Sequence, residues 1–365
     1  MNALPQAIST ALADPLRSAR TAVERGRRAI GAIGRDIPVE LVLAAGAFPV
    51  LLPSFADLPT QHADQVLEPG FTPLVRSVVE QWLAGQFEFF DAIVFSRGDD
   101  SAQRSYYYLC ELQRTSRVRG PRPLVFDVAK IPRATSLAHT EAALRQLAAE
   151  LGTDEHRLPE AIKTRNHRRA LCQQLEQQRH TLRPPPGSHV AKLMRAADTL
   201  PAEDFDEVLS SWLLGDFPPR PAPRLLLLGT SPPDERLHET VERCGGCVVA
   251  EVGEHSPACL GTPIAELDGP FEALARHYHA LRTGPRSFED MADQVVQTAV
   301  ASRADAAIFW LIDQDEALAW QLPSISAALA RERIPLLTLT GRRWNAADGT
   351  LEEIARFTQE LKTST

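Results

Sequence analysis

The chain is poor in cysteine, with five in 365 residues: Cys110, Cys172, Cys244, Cys247 and Cys259. An odd number without regular spacing excludes a disulfide scaffold and fits a reducing compartment. No apolar run reaches the ~18 residues a membrane-spanning helix needs, so no span is predicted. Positive charge is also short: 39 lysines and arginines against 47 aspartates and glutamates leave a net charge of −8. That balance gives no electrostatic reason to expect nucleic acid or an anionic membrane as partner. The N-terminal stretch lacks a signal-peptide core with a small-residue cleavage site, and the cytoplasm is the expected location. No GxGxxG, GxSxG or P-loop motif occurs.

What remains is an ordinary globular composition, 44% hydrophobic and 24% charged, in a chain long enough for two or three cores. Its most informative pattern occurs twice. Phe90-Asp91-Ala92-Ile93-Val94-Phe95 is followed by a polar helix and Arg122-Pro123-Leu124-Val125-Phe126. Ala304-Asp305-Ala306-Ala307-Ile308-Phe309-Trp310 is followed by another helix and Ile334-Pro335-Leu336-Leu337-Thr338-Leu339. Each reads as buried strand, crossover helix, buried strand, the unit of a parallel sheet. The pattern predicts an α/β protein of two doubly wound, Rossmann- or flavodoxin-like, parallel-sheet domains facing a cleft, with helical connecting segments. Expected boundaries are a helical N-terminal segment (1–30), a first α/β domain (31–152), a helical connection with proline-rich linkers (153–223) and a second α/β domain (224–365). Gly34-Arg35-Asp36-Ile37-Pro38 reads as the opening of a helix.

Parallel sheets put their chemistry at the carboxyl ends of the strands. The loops there offer Ser96, Arg97 and Asp99 after the first repeated strand, and Thr230 and Ser231 after Leu225-Leu226-Leu227-Leu228-Gly229. Glu254 and His255 follow Val252, and Asp313 follows the second repeated strand. All eight are candidate substrate-binding residues; for any one of them the competing role is to cap the next helix. Arg97, flanked by Ser96 and Gly98, suits bidentate grip of a carboxylate or phosphate, or else an ion pair with Asp99, Asp100 or Glu111. No residue can be assigned as catalytic from the pattern.

No metal site is expected. Cys244-Gly245-Gly246-Cys247 has CxxC spacing but no second cysteine or histidine pair to complete a tetrahedral set, and it reads as two buried structural cysteines. Cys259 is the one thiol near the working edge and a weak candidate ligand, while Cys110 and Cys172 read as core residues. His277 and His279 flank Tyr278 on one helix and point to different faces. Arg165, His167, Arg168 and Arg169 form a basic helical run that reads as a solvated face.

Several segments, in this order, resemble the 2-hydroxyacyl-CoA dehydratase family, which includes the benzoyl-CoA reductase cluster subunits. Ile37-Pro38-Val39-Glu40-Leu41-Val42-Leu43-Ala44-Ala45-Gly46-Ala47-Phe48-Pro49-Val50 is similar to the opening signature of that family. Phe89-Phe90-Asp91-Ala92-Ile93-Val94-Phe95 is similar to a strand that follows it, and residues 268–278 and 304–339 fit the C-terminal pattern. The resemblance implies a subunit of a heterodimer with a homologous partner, an acyl-CoA substrate, and an ATP-dependent activator as electron donor. It also implies one [4Fe–4S] cluster per subunit on three strand-end cysteines. Here those three positions fall at Ser96 or Arg97, within residues 252–255, and within residues 311–313. The expectation is therefore an acyl-CoA cleft and scaffold without a cluster of its own, the cluster lying in the partner. The alternative is a non-catalytic protein binding acyl-CoA or another anion. A third possibility uses Asp99, Asp313, Glu254 and His255 as acid and base groups.

Overall fold

Both halves of the repeat fold as buried strands, and the doubling extends further than two strands. The computed structural model describes residues 3–219, 223–265, 269–281 and 291–364. Its strands are β1 (Ala29–Ile33), β2 (Phe48–Leu51), β3 (Ala92–Ser96), β4 (Arg122–Phe126), β5 (Arg224–Gly229), β6 (Cys247–Val252), β7 (Ala306–Ile312) and β8 (Leu336–Arg342). They form two four-stranded sheets, ordered β2-β1-β3-β4 and β6-β5-β7-β8. Every pairing is parallel. The α/β architecture of two parallel-sheet domains is as expected.

Alternation along each strand sends side chains to two cores, one per face. Ile30, Ala32, Val94 and Phe126 enter one core of the first sheet, while Ile33, Ile93 and Phe95 enter the other. In the second sheet, Leu225, Leu227, Ile308 and Trp310 face one way, and Leu226, Leu228, Phe309 and Leu311 the other.

Strand β1 is a correction to the sequence reading, which ran a helical segment to residue 30 and opened another at Gly34. Its residues, Ala-Ile-Gly-Ala-Ile, carry little strand propensity, but the strand is central and buried throughout. A Cβ on Gly31 would lie 2.8 Å from Ile93 Cγ1 and 2.9 Å from Leu52 Cδ2, so only glycine lets these layers close.

Three further expectations change. The helix Pro270–Ala280 lies within the stretch assigned to the second domain, yet it packs on the first-domain helix Ala134–Leu151. Phe271, Leu274 and Tyr278 complete a first-domain core. The proline run before the helix Gly187–Ala197 is no free spacer, because Pro184 and Pro185 are buried and the Pro185 carbonyl accepts from Cys247 Sγ. Finally, the basic run on the helix Leu158–Arg179 is only partly solvated: His167 is exposed and Arg165 half-buried, but Arg168 and Arg169 are 3% and 1% exposed. Arg168 pairs with Asp206, and Arg169 donates to Glu40 Oε1 at 2.5 Å. Both partners are distant in sequence, so helical spacing carried no sign of them.

Candidate functional site

In an open parallel sheet, two adjacent strands whose crossovers run in opposite directions leave a crevice beyond their carboxyl ends. The order 2-1-3-4 puts that point between β1 and β3, and the equivalent point between β5 and β7. The loops at both points line one cavity of about 800 Å³ between the domains.

On the first-domain side the chain leaves β1 through Gly34, at φ +111°, where a Cβ would sit 2.4 Å from that of Ser96. This close approach carries Asp36 over the end of β3, where its Oδ2 accepts from Ser96 Oγ at 2.8 Å. Ser96 Oγ accepts in turn from the Gly98 backbone N–H at 2.9 Å. Asp99 caps the helix Asp100–Arg114, accepting from the Ala102 N–H at 2.6 Å, and its carboxylate also borders the cavity. Arg35 grips Asp198 of the helical connection with two bonds of 2.6 Å each.

On the second-domain side the chain leaves β5 through Gly229, at φ +107°, where a Cβ would collide with the Trp310 carbonyl oxygen at 2.2 Å. Thr230 Oγ1 then donates to Asp315 Oδ2 at 2.8 Å. Ser231 Oγ accepts from the Glu254 N–H at 2.9 Å, which fixes the loop after β6. His255 Nδ1 lies 3.3 Å from the Pro232 carbonyl.

The carboxyl groups thus gathered repel one another across the cavity. Burial, reinforced by the Asp99 and Asp36 charges, pushes Glu254 up to about 7 even though Arg35 opposes it. Burial also raises Asp36, Asp99 and Asp315 against the hydrogen bonds each accepts. The same burial, with Arg35 nearby, pulls His255 down to about 3, so its imidazole is neutral. Glu254 is thereby poised to hold or release a proton near neutral pH.

Of the residues singled out by sequence, Ser96, Asp99, Thr230, Ser231, Glu254 and His255 line the cavity, and so does Cys259. Arg97 and Asp313 do not. Arg97 turns outward to Asp127 at 2.6 Å, a partner none of its anticipated ion pairs included. Asp313 is exposed beyond β7, its N–H held by the Arg342 carbonyl, and Asp315 two residues on reaches the cleft instead. Sequence reasoning missed Arg35 and Asp36 because it missed β1; the rule applied to the other strand ends would have found both. Asp198 gave no local signal.

The chain matches the family model of the 2-hydroxyglutaryl-CoA dehydratase D-component over residues 36–355. It belongs to that dehydratase family. It is also similar to YjiM of Escherichia coli (strain K12), named as a dehydratase subunit, at 26% identity over 282 residues and 71% of each chain. The segment at residues 37–50, likened above to a family signature, forms the helix Val39–Ala44 and β2. Its Glu40 is fully buried, with one oxygen on Arg169 and the other accepting from Tyr278 Oη at 2.6 Å. Burial alone would raise Glu40, but Arg169 and Arg165 hold it down to about 2. Glu40 is therefore a structural anchor in this dehydratase-family chain.

A three-thiolate cluster does not fit these residues. Of the five cysteines Cys259 alone lines the cavity, and burial pushes its thiol up to about 11. Cys247 lies beneath Pro185, and part-exposed Cys244 caps the helix Arg236–Arg243. The strand-end positions hold Ser96, which is occupied by Asp36, together with Glu254 and Asp313. Among the described residues no helix is long and apolar enough to cross a membrane.

Proposed function

We propose that this chain is the cluster-free subunit of a 2-hydroxyacyl-CoA dehydratase-like or benzoyl-CoA reductase-like heteromer, supplying the acyl-CoA cleft and its proton-handling group. The carrying observation is Glu254, with a carboxyl balanced near 7, in a cavity bordered by Asp36, Asp99 and Asp315. In the protonated state Glu254 gives its proton to the C2 hydroxyl of the acyl group, which departs as water. The carboxylate so formed takes up the proton lost from the neighbouring carbon, and the group returns to its starting state. The elimination is redox-neutral overall, so the electron lent to the acyl group by a cysteine-bearing homologous partner, itself served by an ATP-dependent activator, returns to that partner as the product forms. A cytoplasmic setting follows from that partnership.

The reading as a simple anion-binding protein draws less support. The guanidinium groups of Arg35 and Arg195 at the cavity are already committed to Asp198 and Glu235. The remaining lining is rich in carboxylates, which favours a neutral thioester end over a free anion.

Co-purification from the native host, followed by metal analysis of each subunit, tests the assignment. Iron and sulfide should travel with a homologous partner, and this chain alone should lack the brown ~400 nm band of thiolate-bound clusters. Stoichiometric iron and sulfide in the isolated chain would overturn it.

A further inference from the structure

A second cavity, of about 330 Å³, lies beneath the first between the helices Val39–Ala44 and Leu158–Arg179. Arg35, Asp198, Cys259 and His277 border both spaces, so they adjoin. Its walls are mostly apolar, from Ile30, Val42, Phe48 and Val50 among others, and its volume suits a small ligand.

The charge in it is unbalanced. Arg168 and Arg169 are satisfied by Asp206 and Glu40, and Asp198 is taken by Arg35. Arg165, one turn before Arg169, has no such partner: its Nε is buried without a hydrogen bond, and no carboxylate among the described residues pairs with it. Burial depresses its basicity, and the nearest relief is the field of Glu40, whose two oxygens are already engaged. Glu160 and Glu203 at the rim are exposed, as is Arg157. Arg165 is half-buried, its Nε sealed off and no described carboxylate paired with it, and a chain keeps such a guanidinium where something else supplies the counter-charge.

We infer that this second cavity binds a carboxylate on an apolar stem, with Arg165 as its counter-ion. The stem packs among the aliphatic walls and the carboxylate meets the guanidinium fork. Two sources share that chemistry: the distal carboxyl of an acyl chain whose thioester lies in the main cleft, and a separate small carboxylate.

Isothermal titration of the full chain with hexanoate and with 1-hexanol tests the site without any CoA ester, so its outcome is independent of the chemistry assigned to Glu254. Hexanoate should bind and hexanol should not. Arg165→Met should weaken hexanoate at least tenfold while leaving the melting temperature unchanged or higher, because it removes a half-buried charge that has no ion-pair partner among the described residues. A second titration separates the sources. If the carboxyl belongs to the substrate, adipyl-CoA binds more tightly than hexanoyl-CoA, and the gap closes in Arg165→Met. If it belongs to a separate ligand, hexanoate and hexanoyl-CoA bind together. Unchanged hexanoate binding in Arg165→Met, or a lowered melting temperature with no effect on affinity, would overturn the inference by making Arg165 a structural residue.

Discussion

The two domains share a strand order but place their polar groups in exchanged positions. In the first, the carboxylate follows the leading strand and the hydroxyl follows its neighbour: Asp36 after β1 accepts from Ser96 at the end of β3. In the second, the hydroxyl follows the leading strand, and Thr230 after β5 donates to Asp315 after β7. Each pair ties together the two strands at its crevice, and each holds one carboxyl toward the common space. Both halves thus carry a hydroxyl–carboxylate link at this point, in opposite directions. The glycines beneath, Gly34 and Gly229, adopt nearly the same positive φ, so the turn itself is common to both halves.

The comparison breaks most severely at Glu254, which belongs to neither pair. Glu254→Gln should cost a reconstituted heteromer roughly a hundred- to ten-thousand-fold in kcat/KM. It should also erase the inflection near pH 7 from the rate profile. A variant keeping that inflection would assign it to another group.

Next come the turns. Gly34→Ala and Gly229→Ala should each lower unfolding free energy by about 2 kcal/mol or more in denaturant melts, because both impose a positive φ on a side chain. The second should lose more. Its added carbon meets the Trp310 backbone oxygen at 2.2 Å, whereas at Gly34 the nearest atom belongs to a side chain.

Stability against pH should separate the cleft from the anchors. Glu254 has a folded value of about 7, above its unfolded one, so the folded chain holds that proton more tightly. Its contribution is complete below about 4.5 and is lost as pH rises through 7. Glu40 and Glu251 are both held down to about 2, the second by His238 and Arg179 against the effect of its burial. Their contribution is present above about 4.5 and is lost as pH falls toward 2. Thermal melts should therefore peak in mildly acid buffer, and Glu254→Gln should flatten the alkaline limb alone.

The smallest effect belongs to Arg97→Ala. The Arg97–Asp127 pair is largely exposed, so the change should stay within about 0.5 kcal/mol and leave acyl-CoA affinity unaltered.

Strands rich in branched residues, such as Ala306–Ile312, were legible because both faces are buried and the run is continuous. Ala29–Ile33 was not, since its place depends on the absence of a side chain at Gly31, a packing requirement with no local signature. The same omission hid Asp36. Ser231 and Glu254 were each visible as strand-end residues, but their hydrogen bond spans 23 positions and belongs to the sheet order. Arg168 and Arg169 misled for a related reason: a charged stripe on a helix looks solvated until its partners arrive from elsewhere in the chain.

The docking of Pro270–Ala280 onto the first domain has a consequence for biosynthesis. The core around the helix Ala134–Leu151 stays incomplete until Phe271, Leu274 and Tyr278 have left the ribosome, long after Leu151 has emerged. At ordinary elongation rates that wait is on the order of ten seconds. During it, the outer part of that core must remain unpaired, and the protein becomes competent to close its first domain only while its second is being made.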